Sequence, residues 1–559
     1  MAITSSVPRF EQFNLDPALA EEVEAAPEQQ IIEGIVRLED PEQIPPHFTV
    51  VSRFKRICTG RFAAAHTWTI RRHPNVVSLK AARPLGNVDE GGNPSDLVLP
   101  QDTGSPGSPS VPFTGRGCIV AALDFGLDFA HPNFLNPDGT TRLVGFWHQG
   151  APYDPVRPNR FGYGRLYSQN EINAALRASD PYQALGYHPA ISDTGNGSHG
   201  THTLDIAAGN GRADGARPGA APDADLIFVH LSTPRLSMAG DLGDSARVLE
   251  ALDHVDRTAR GRPWVVNLSV GRTAGSHDGT SLVEQGMHEL LRRGPGRAIV
   301  QSAGNYRSAD LAVEGWLRDG EYRDLEWIIH PADTTANEID AWYSGKDRFV
   351  AGIRPPQGSA FVEVKLGEVA DIVHEGAVIG RMYHRKNDPN NKDNHVEVFL
   401  YPGAPPGNWT VRLFGDYVIS GRFHAWIERD LACPGAQSRF DARITSQSYT
   451  LGTIATSPLV ITVGAYDANA EERPLAPFSS CGPTRDERRD KPELLAPGVG
   501  VVGARSISRG AVRQEGLLVA RSGTSMAAPH VAGTVAALLE AAGRPVSIDE
   551  IRDCLKHSA

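Results

Sequence analysis

The stretch Arg521-Ser522-Gly523-Thr524-Ser525-Met526-Ala527-Ala528-Pro529-His530-Val531-Ala532-Gly533 decides the fold. It predicts a tight glycine turn that runs directly into a helix. The helix carries small and apolar residues on every side as far as Leu539, so we expect it to be buried. Ser525 lies at the start of this helix, where free N–H groups and the positive end of the helix dipole favour developing negative charge.

Two interpretations of Ser525 stay open on this stretch alone. Pro529 has no N–H, so the carbonyl of Ser525 loses its usual helical hydrogen bond. A missing helical hydrogen bond beside a hydroxyl is typical of a functional site. A serine at a helix start is, however, much more often an N-cap on a core helix. The rest of the chain has to decide between a nucleophile and a cap.

Composition excludes several classes of protein. A chain of 559 residues is too long for one ordinary core, and its net charge of −11 gives no support to nucleic-acid or anionic-membrane binding. There is no apolar run of about 18 residues, so we predict no membrane partner. The polar, acidic start of the sequence lacks the features of a signal peptide, and five scattered cysteines suit a reducing compartment. We therefore predict a cytoplasmic protein, with secretion of a longer precursor left open, and no cofactor or bound metal.

The order of patterns along the chain predicts an α/β fold. Buried-strand runs that alternate with helical patterns over 113–305 and 451–559 indicate a mostly parallel sheet with helices on both faces. Regularly spaced short strands over 306–450 indicate an inserted β-sandwich. Residues 1–83 read as a small α+β domain with a flexible start, and residues 84–112 as a linker rich in Gly and Pro. The candidate strands of the small domain are Ile31–Leu38, Phe48–Phe54 and Val76–Ala81.

Three polar residues lie at the end of a predicted strand or at the start of a predicted helix. Asp124 ends the first buried strand, His199 opens a helix of small residues, and Ser525 opens the buried helix. A serine becomes a good nucleophile when a histidine takes its proton and an acid holds that histidine in the right tautomer. Ligand groups gather at the carboxyl ends of parallel strands, so we expect these three side chains to meet there.

Each of these residues also has an alternative. Asp128 competes with Asp124 for the role of the acid, and His202 is more often a satisfied core residue than a catalytic one. His199, His202 and Asp205 form an i, i+3, i+6 set that is a weak candidate for a metal site, because this spacing spreads the side chains around the helix.

Asn305 is the fourth polar candidate. It follows the apolar strand that begins near Ala298, and its amide is suited to donate to an oxyanion together with the N–H of Ser525. A loop-start asparagine is the alternative, and it would be preferred without the other three residues.

The segments around Asp124, His199 and Ser525 resemble the three motifs of the subtilisin-like serine peptidases, the subtilases of peptidase family S8. The most specific segment is Ser522-Gly523-Thr524-Ser525-Met526-Ala527-Ala528-Pro529-His530, and Asn305 in Ser-Ala-Gly-Asn matches the family's oxyanion asparagine. The resemblance implies a serine endopeptidase that forms an acyl-enzyme intermediate on protein or peptide substrates. It also implies that the substrate pairs with the strand around Ser269, Val270 and Gly271, and that Ala303 and Gly304 line the pocket beside it.

Other features of the resemblance concern the accessory parts of the chain. The insertion at 306–450 resembles the jelly-roll insert of a bacterial branch that includes spore-germination subtilases, and the N-terminal unit resembles the end of a propeptide. We expect that unit to inhibit until it is cut in or near 84–112. Asp205 replaces a residue that is usually small in the family motif, which leaves its effect open, and we find no match to the family's usual calcium loop.

Two other functions compete with a serine peptidase. A catalytically silent subtilase fold used for binding or regulation is the first, although all four functional positions are filled. A metal-dependent hydrolase built on His199, His202 and Asp205 is the second. The sequence gives neither the natural substrate nor the oligomeric state.

Overall fold

The structure is a computed structural model that describes residues 15–87, 112–192, 197–232, 244–358, 360–429, 434–508 and 516–558. The strands in chain order are β1 (Ile31–Leu38), β2 (Thr49–Phe54), β3 (Ile57–Ala63), β4 (Val76–Ala81), β5 (Gly86–Asn87), β6 (Ile119–Asp124), β7 (Leu143–His148), β8 (Arg165–Tyr167), β9 (Asp225–His230), β10 (Trp264–Leu268), β11 (Val270–Gly271), β12 (Arg297–Ser302), β13 (Ala312–Trp316), β14 (Tyr322–Ile329), β15 (Asn337–Tyr343), β16 (Arg348–Arg354), β17 (Val362–Lys365), β18 (Val369–His374), β19 (Ala377–Arg385), β20 (Asn394–Leu400), β21 (Gly407–Tyr417), β22 (Arg422–Ile427), β23 (Arg439–Phe440), β24 (Ile461–Tyr466), β25 (Leu494–Pro497), β26 (Val501–Ala504) and β27 (Leu518–Arg521). The helices are α1 (Pro17–Ala25), α2 (Thr67–Arg71), α3 (Gln169–Leu176), α4 (Pro181–Leu185), α5 (His199–Ala208), α6 (Ser245–Ala259), α7 (Leu282–Leu291), α8 (Thr524–Ala542) and α9 (Ile548–Ser558).

An eight-stranded sheet of order β25-β24-β12-β10-β6-β9-β7-β8 forms the centre of the molecule. Its neighbours are parallel except for the antiparallel pair β7 and β8. All six residues of β6 are buried, as a strand covered on both faces requires. Helices α5 and α8 pack on one another and on this sheet, and so do α6 and α7. The predicted α/β fold is therefore confirmed.

The parallel register brings several strand ends to one edge of this sheet. β6 ends at Asp124, β10 ends just before Ser269, and β12 ends three residues before Asn305. Because the carboxyl ends of parallel strands meet at the same edge, the loops that follow them form a common surface.

The segment between β12 and β24 forms two further antiparallel sheets. One has the order β13-β22-β15-β20-β19-β18 and the other β17-β16-β21-β14-β23. Buried side chains from both sheets belong to one apolar core, which includes Trp327, Ile339, Val398 and Trp409. Two sheets that share a core in this way make the predicted β-sandwich.

The N-terminal unit is a four-stranded antiparallel sheet of order β2-β3-β1-β4 with α1 and α2. Its apolar core continues onto Val369 and Tyr383 of the β-sandwich. Its sheet also contacts α6 and α7 of the central domain. The unit is thus packed against both other parts of the chain. Among the described helices, none has the length and apolar character needed to cross a lipid bilayer.

Candidate active site

Asp124 and His199 are in direct contact at the carboxyl edge of the central sheet. His199 Nδ1 lies 2.7 Å from Asp124 Oδ1, and both side chains are buried. Asp124 is the last residue of β6 and His199 is the first residue of α5, so the two backbones fix this contact. In this arrangement Asp124 accepts from Nδ1, which places the acid–base chemistry of the ring at Nε2.

Further contacts hold this pair in place. The second carboxylate oxygen of Asp124 accepts from Thr203 Oγ1 at 3.0 Å, and its first oxygen accepts from the N–H of Phe125 at 2.7 Å. The ring of Phe125 stacks on that of His199 with centroids 5.2 Å apart. Thr203 is four residues after His199 on the same helix face, and this spacing is the signal by which it could have been found. The sequence analysis missed it.

Ser525 lies at the N-terminal end of α8. The N-cap is Gly523, whose φ of 155° and ψ of 161° are accessible essentially to glycine alone. Ser525 is the second residue of the helix, so the interpretation of this serine as an N-cap is wrong. Its side chain is buried, and no group in the described parts of the chain hydrogen-bonds to its Oγ. Helix α8 packs on α5, so Ser525 and His199 lie near the starts of two helices that contact each other.

The helix that follows Ser525 is buried as predicted, and Pro529 lies inside it. Proline removes the N–H that would have bonded to the carbonyl of Ser525. Ser269 Oγ lies 3.5 Å from that carbonyl and donates to it, while Asn267 Nδ2 donates to Ser269 Oγ at 3.2 Å. The loop after β10 is thereby linked to the turn that carries Ser525.

Asn305 is also connected to this turn. Its Oδ1 accepts from both the N–H and the Oγ1 of Thr524, each at 3.0 Å. With the carbonyl end of the amide held in this way, the donor end of the same amide is Nδ2. Thr524 also accepts from the N–H of Gly304 at 3.1 Å, and Gly304 has a φ of 110° that favours glycine. The sequence analysis missed Thr524, although its position beside Ser525 marks it.

The strand after β10 is paired with the segment that directly follows the N-terminal unit. Val270 and Gly271, which form β11, pair antiparallel with Asn87 and Gly86 of β5. The start of the predicted linker, directly after the N-terminal unit, therefore lies along the strand that the sequence analysis assigned to substrate. Most of the predicted linker 84–112, in which cleavage was expected, lies outside the described residues.

The competing residues have other partners. Asp128 accepts from Tyr182 OH at 2.7 Å and from the N–H of Ile507 at 2.9 Å. His202 Nε2 lies 3.1 Å and 3.0 Å from the carbonyl oxygens of Val501 and Val519. Asp124 is thus the acid that faces His199, and His202 joins β26 to β27.

Asp205 has a structural role of its own. Its two oxygens accept from Asn133 Nδ2 at 2.7 Å and from the N–H of Ala504 at 2.8 Å. Burial raises the pKa of this carboxyl. Asp205 therefore holds the end of β26 through Ala504, and β26 pairs with β27, the strand that leads to the turn before Ser525. His199, His202 and Asp205 each engage a different set of partners, so the geometry does not favour the metal-dependent alternative.

Comparison with known proteins places this arrangement in a family. The sequence profile of the Subtilase family matches residues 115–336 and 441–559, more than half of the chain. The chain is 24% identical over 462 residues to the minor extracellular protease Vpr of Bacillus subtilis (strain 168), covering 80% of this chain and 48% of that protein. It is 37% identical over 120 residues to the serine protease AprX of the same strain, covering 20% of this chain and 27% of that protein. The chain thus spans about half or less of the length of these relatives.

A solved structure agrees with this assignment. The CspB protease of Clostridium perfringens superposes with a TM-score of 0.64 at 25% sequence identity, covering 77% of this chain and 85% of that one. The matched family segments carry Asp124, His199, Asn305 and Ser525. The chain therefore belongs to the subtilase family.

Proposed function

We propose that the chain is a serine endopeptidase in which Ser525 is the nucleophile, His199 the general base and Asp124 its acid partner. The observation that carries the proposal is the 2.7 Å contact between His199 Nδ1 and Asp124 Oδ1, at the sheet edge where α8 begins. The named serine proteases among the relatives of this chain support protease function and, with it, protein or peptide substrates.

Peptide hydrolysis on these residues follows two steps. His199 Nε2 takes the proton of Ser525 Oγ as the oxygen attacks the scissile carbonyl, and the imidazolium then gives that proton to the leaving amine. Water attacks the resulting acyl-enzyme with the same histidine as base. Asp124 holds the tautomer and stabilises the positive charge on the ring. The N–H of Ser525 and the Nδ2 of Asn305 stabilise the oxyanion, and Thr524 holds the asparagine amide for this role.

The substrate binds as an added strand in this proposal. Val270 and Gly271 pair with its backbone, and Ser269, Ala303 and Gly304 line the pocket for the residue before the cut. The pairing of β5 with β11 supports this, because it places an extended segment on the same strand.

The N-terminal unit is a propeptide-like inhibitor in this proposal, since β5, which directly follows it, covers the strand that a substrate needs. We expect self-cleavage downstream of Asn87. The intact mass of the wild-type chain is then smaller than that of Ser525→Ala by a fragment that ends after residue 87. Full-length masses for both chains would mean a permanent accessory domain instead.

Ser525→Ala is the direct test of the nucleophile. We expect a loss of about 10⁴-fold to 10⁶-fold in turnover on peptides, because removing one member of such a triad disables the unit. Thr534→Ala is a matched control, since Thr534 is an exposed hydroxyl residue on the same helix. A fluorophosphonate probe should label the control and leave Ser525→Ala unlabelled. Failure of the probe to label wild-type chain freed of its N-terminal unit would favour a silent, binding subtilase.

A further inference from the structure

Three parts of the chain meet around a half-open cavity of about 110 Å³ whose lining includes several charged side chains. We call it the three-unit junction and define it by the charged side chains and the histidine that line it. The N-terminal unit, the central domain and the β-sandwich all contribute. These side chains are Asp16, Lys80, Arg83, Arg272, Glu338, Asp340, Asp388, His395 and Glu397.

Negative charge exceeds positive charge in the junction. Five of the lining side chains are carboxyl groups and three are Lys or Arg, and Arg385, which does not line the cavity, pairs with Asp388 and Asp16 as a fourth cation. Asp340 and Glu397 also stand directly opposite each other on the paired strands β15 and β20. Like charges in directly opposed positions of an antiparallel pair destabilise it, and a cation between them relieves this repulsion.

His395 completes a group with these two carboxylates. It lies two residues before Glu397 on β20, on the same face of the sheet. Its Nδ1 is 3.2 Å from Asp340 Oδ1 and 3.9 Å from Glu397 Oε2. Donors bound tetrahedrally at about 2.1 Å from an ion lie about 3.4 Å apart, which is close to both distances. Within the described residues, these three form the group whose ligand atoms all lie within 4.8 Å of one another.

The second oxygen of each carboxylate is held from outside the group. Asp340 Oδ2 accepts from Trp342 Nε1 at 2.7 Å, and Glu397 Oε1 accepts from Arg83 Nη1 at 3.2 Å. The indole of Trp342 stacks on the imidazole of His395, with ring centroids 4.2 Å apart and planes 3° from parallel. Outer contacts of this kind orient the ligands of metal sites. The remaining oxygens, Asp340 Oδ1 and Glu397 Oε2, both face His395 Nδ1.

A second observation points to a ligand. His395 is 1% exposed and lines the cavity, yet its Nε2 has no hydrogen-bond partner in the part of the chain that the structure describes. Buried polar atoms that the protein does not satisfy are uncommon, and a water that the chain itself does not show is one usual reason. Nε2 is on the other side of the ring from Nδ1, so it points to a water in the cavity. The cavity beside the group has room for such a water.

We propose that Asp340, His395 and Glu397 bind a divalent transition metal of the zinc class, with water from the cavity as a further ligand. An imidazole ligand favours zinc-like ions over calcium or magnesium, and three protein ligands with an open position suit zinc. The ion replaces the proton on His395 Nδ1 and offsets the surplus negative charge. Through Glu397 and Arg83 it joins the β-sandwich to the N-terminal unit, so its role is to stabilise the assembled chain. The sequence analysis, which predicted no metal, did not single out these residues.

The test uses the full chain carrying Ser525→Ala, which prevents self-digestion. After treatment with a chelator and its removal, Zn²⁺ is titrated by calorimetry and Co²⁺ by visible absorption. We expect one ion per chain at micromolar concentration and visible Co²⁺ bands. His395→Asn and Asp340→Asn should abolish both signals.

His424→Asn is the matched control. His424 is a buried histidine on β22, opposite Trp342, with a carboxylate oxygen of Glu314 3.8 Å away. This variant should bind as the parent does, and Zn²⁺ should raise the thermal midpoint of the parent and of His424→Asn alone. No stoichiometric ion on the parent would overturn the proposal. Binding that survives in His395→Asn, or that Ca²⁺ or Mg²⁺ reproduces, would overturn it as well. If His395→Asn does not fold, Asp340→Asn and the parent titration decide.

Discussion

The carboxyl edge of the central sheet, which we call the active-site edge, carries the four proposed site residues. They lie at or near strand ends and at helix starts, and they are Asp124, His199, Asn305 and Ser525. Asp124 and Asn305 each accept from a threonine on a neighbouring helix, Thr203 on α5 for Asp124 and Thr524 on α8 for Asn305. At the three-unit junction, charged residues from three separate parts of the chain hold each other. Lys80, for example, lies 3.0 Å from Asp388 and 3.3 Å from Asp16.

The difference lies in what each region contributes. The active-site edge has few charges, and in the proposed function a small number of well-placed donors and acceptors act on the reacting bond. The junction concentrates buried charge, which is costly to desolvate and stabilises only when every partner is present. Substitutions at the edge should therefore change catalysis and leave folding nearly intact, whereas substitutions at the junction should change stability first.

Asp124→Asn is expected to give the largest effect and tests the first half of this comparison. An amide at this position stabilises the wrong tautomer of His199 and cannot balance the imidazolium charge, so kcat should fall by about 10⁴-fold. Peptide hydrolysis gives kcat, and thermal unfolding gives the stability of the same preparation. The midpoint should change little, because the amide retains an acceptor oxygen.

The control for Asp124→Asn is Asp128→Asn, which changes the other acid of the same loop. Asp128 bonds to Tyr182 and Ile507, so its loss should affect stability more than kcat. If the two variants lost the same activity, the assignment of the acid to Asp124 would not stand.

The contact of Asp124 with His199 could be predicted from the sequence because its signals are local, and the roles of Ser525 and Asn305 beside it stay predictions. A buried strand that ends at Asp124, a helix that begins at His199 and a glycine turn before Ser525 each lie within a few residues. Parallel strands then bring their ends together without further information. Thr203 was missed because a threonine in a helix has many ordinary roles, and its bond to Asp124 is visible only in three dimensions.

The junction could not be predicted in this way. Asp340 and His395 are 55 positions apart and meet only through the pairing of β15 with β20. The strand β3 was also missed, because Ile57–Ala63 contains a glycine and an arginine that weaken its pattern. Gly60 lies where an added Cβ would come within 2.4 Å of the Phe48 ring, so the close packing of the sheet requires glycine there.

Lys80→Met tests the second half of the comparison with an intermediate effect. Asp388 and Asp16 are buried and would keep only Arg385 of the two cations that pair with both of them, so we expect a loss of up to about 3 kcal/mol in the free energy of unfolding. Denaturant unfolding of the chain carrying Ser525→Ala gives this value. Once the N-terminal unit is removed, peptide hydrolysis by the corresponding active chain should be nearly unchanged.

Arg53→Met is the matched control for Lys80→Met. Arg53 is also a cation of the N-terminal sheet, but its partner Glu42 is 80% exposed. An exposed pair of this kind contributes about 1 kcal/mol or less. Equal losses in the two variants would mean that burial does not distinguish the junction from ordinary surface pairs.

Glu284→Gln gives the smallest expected effect, a change in how stability depends on pH. Glu284 lies on α7 beside the cavity-lining Ser281, and burial raises its pKa to about 7, although Ser281 and Thr456 donate hydrogen bonds to it. Between about pH 4.5 and 7 the unfolded chain has lost a proton that the folded chain retains. Stability therefore falls as pH rises through this window, by up to about 1.4 kcal/mol per pH unit, and glutamine should remove this slope. Denaturant unfolding at several pH values measures it.

Glu171→Gln is the matched control, because Glu171 has the same position in the capping box of α3. The pKa of Glu171 is lowered, because the hydrogen bonds from Ser168 and the charge of Arg157 outweigh burial. Glu171→Gln should therefore leave the slope in place. A slope that persists in Glu284→Gln would place the responsible proton elsewhere.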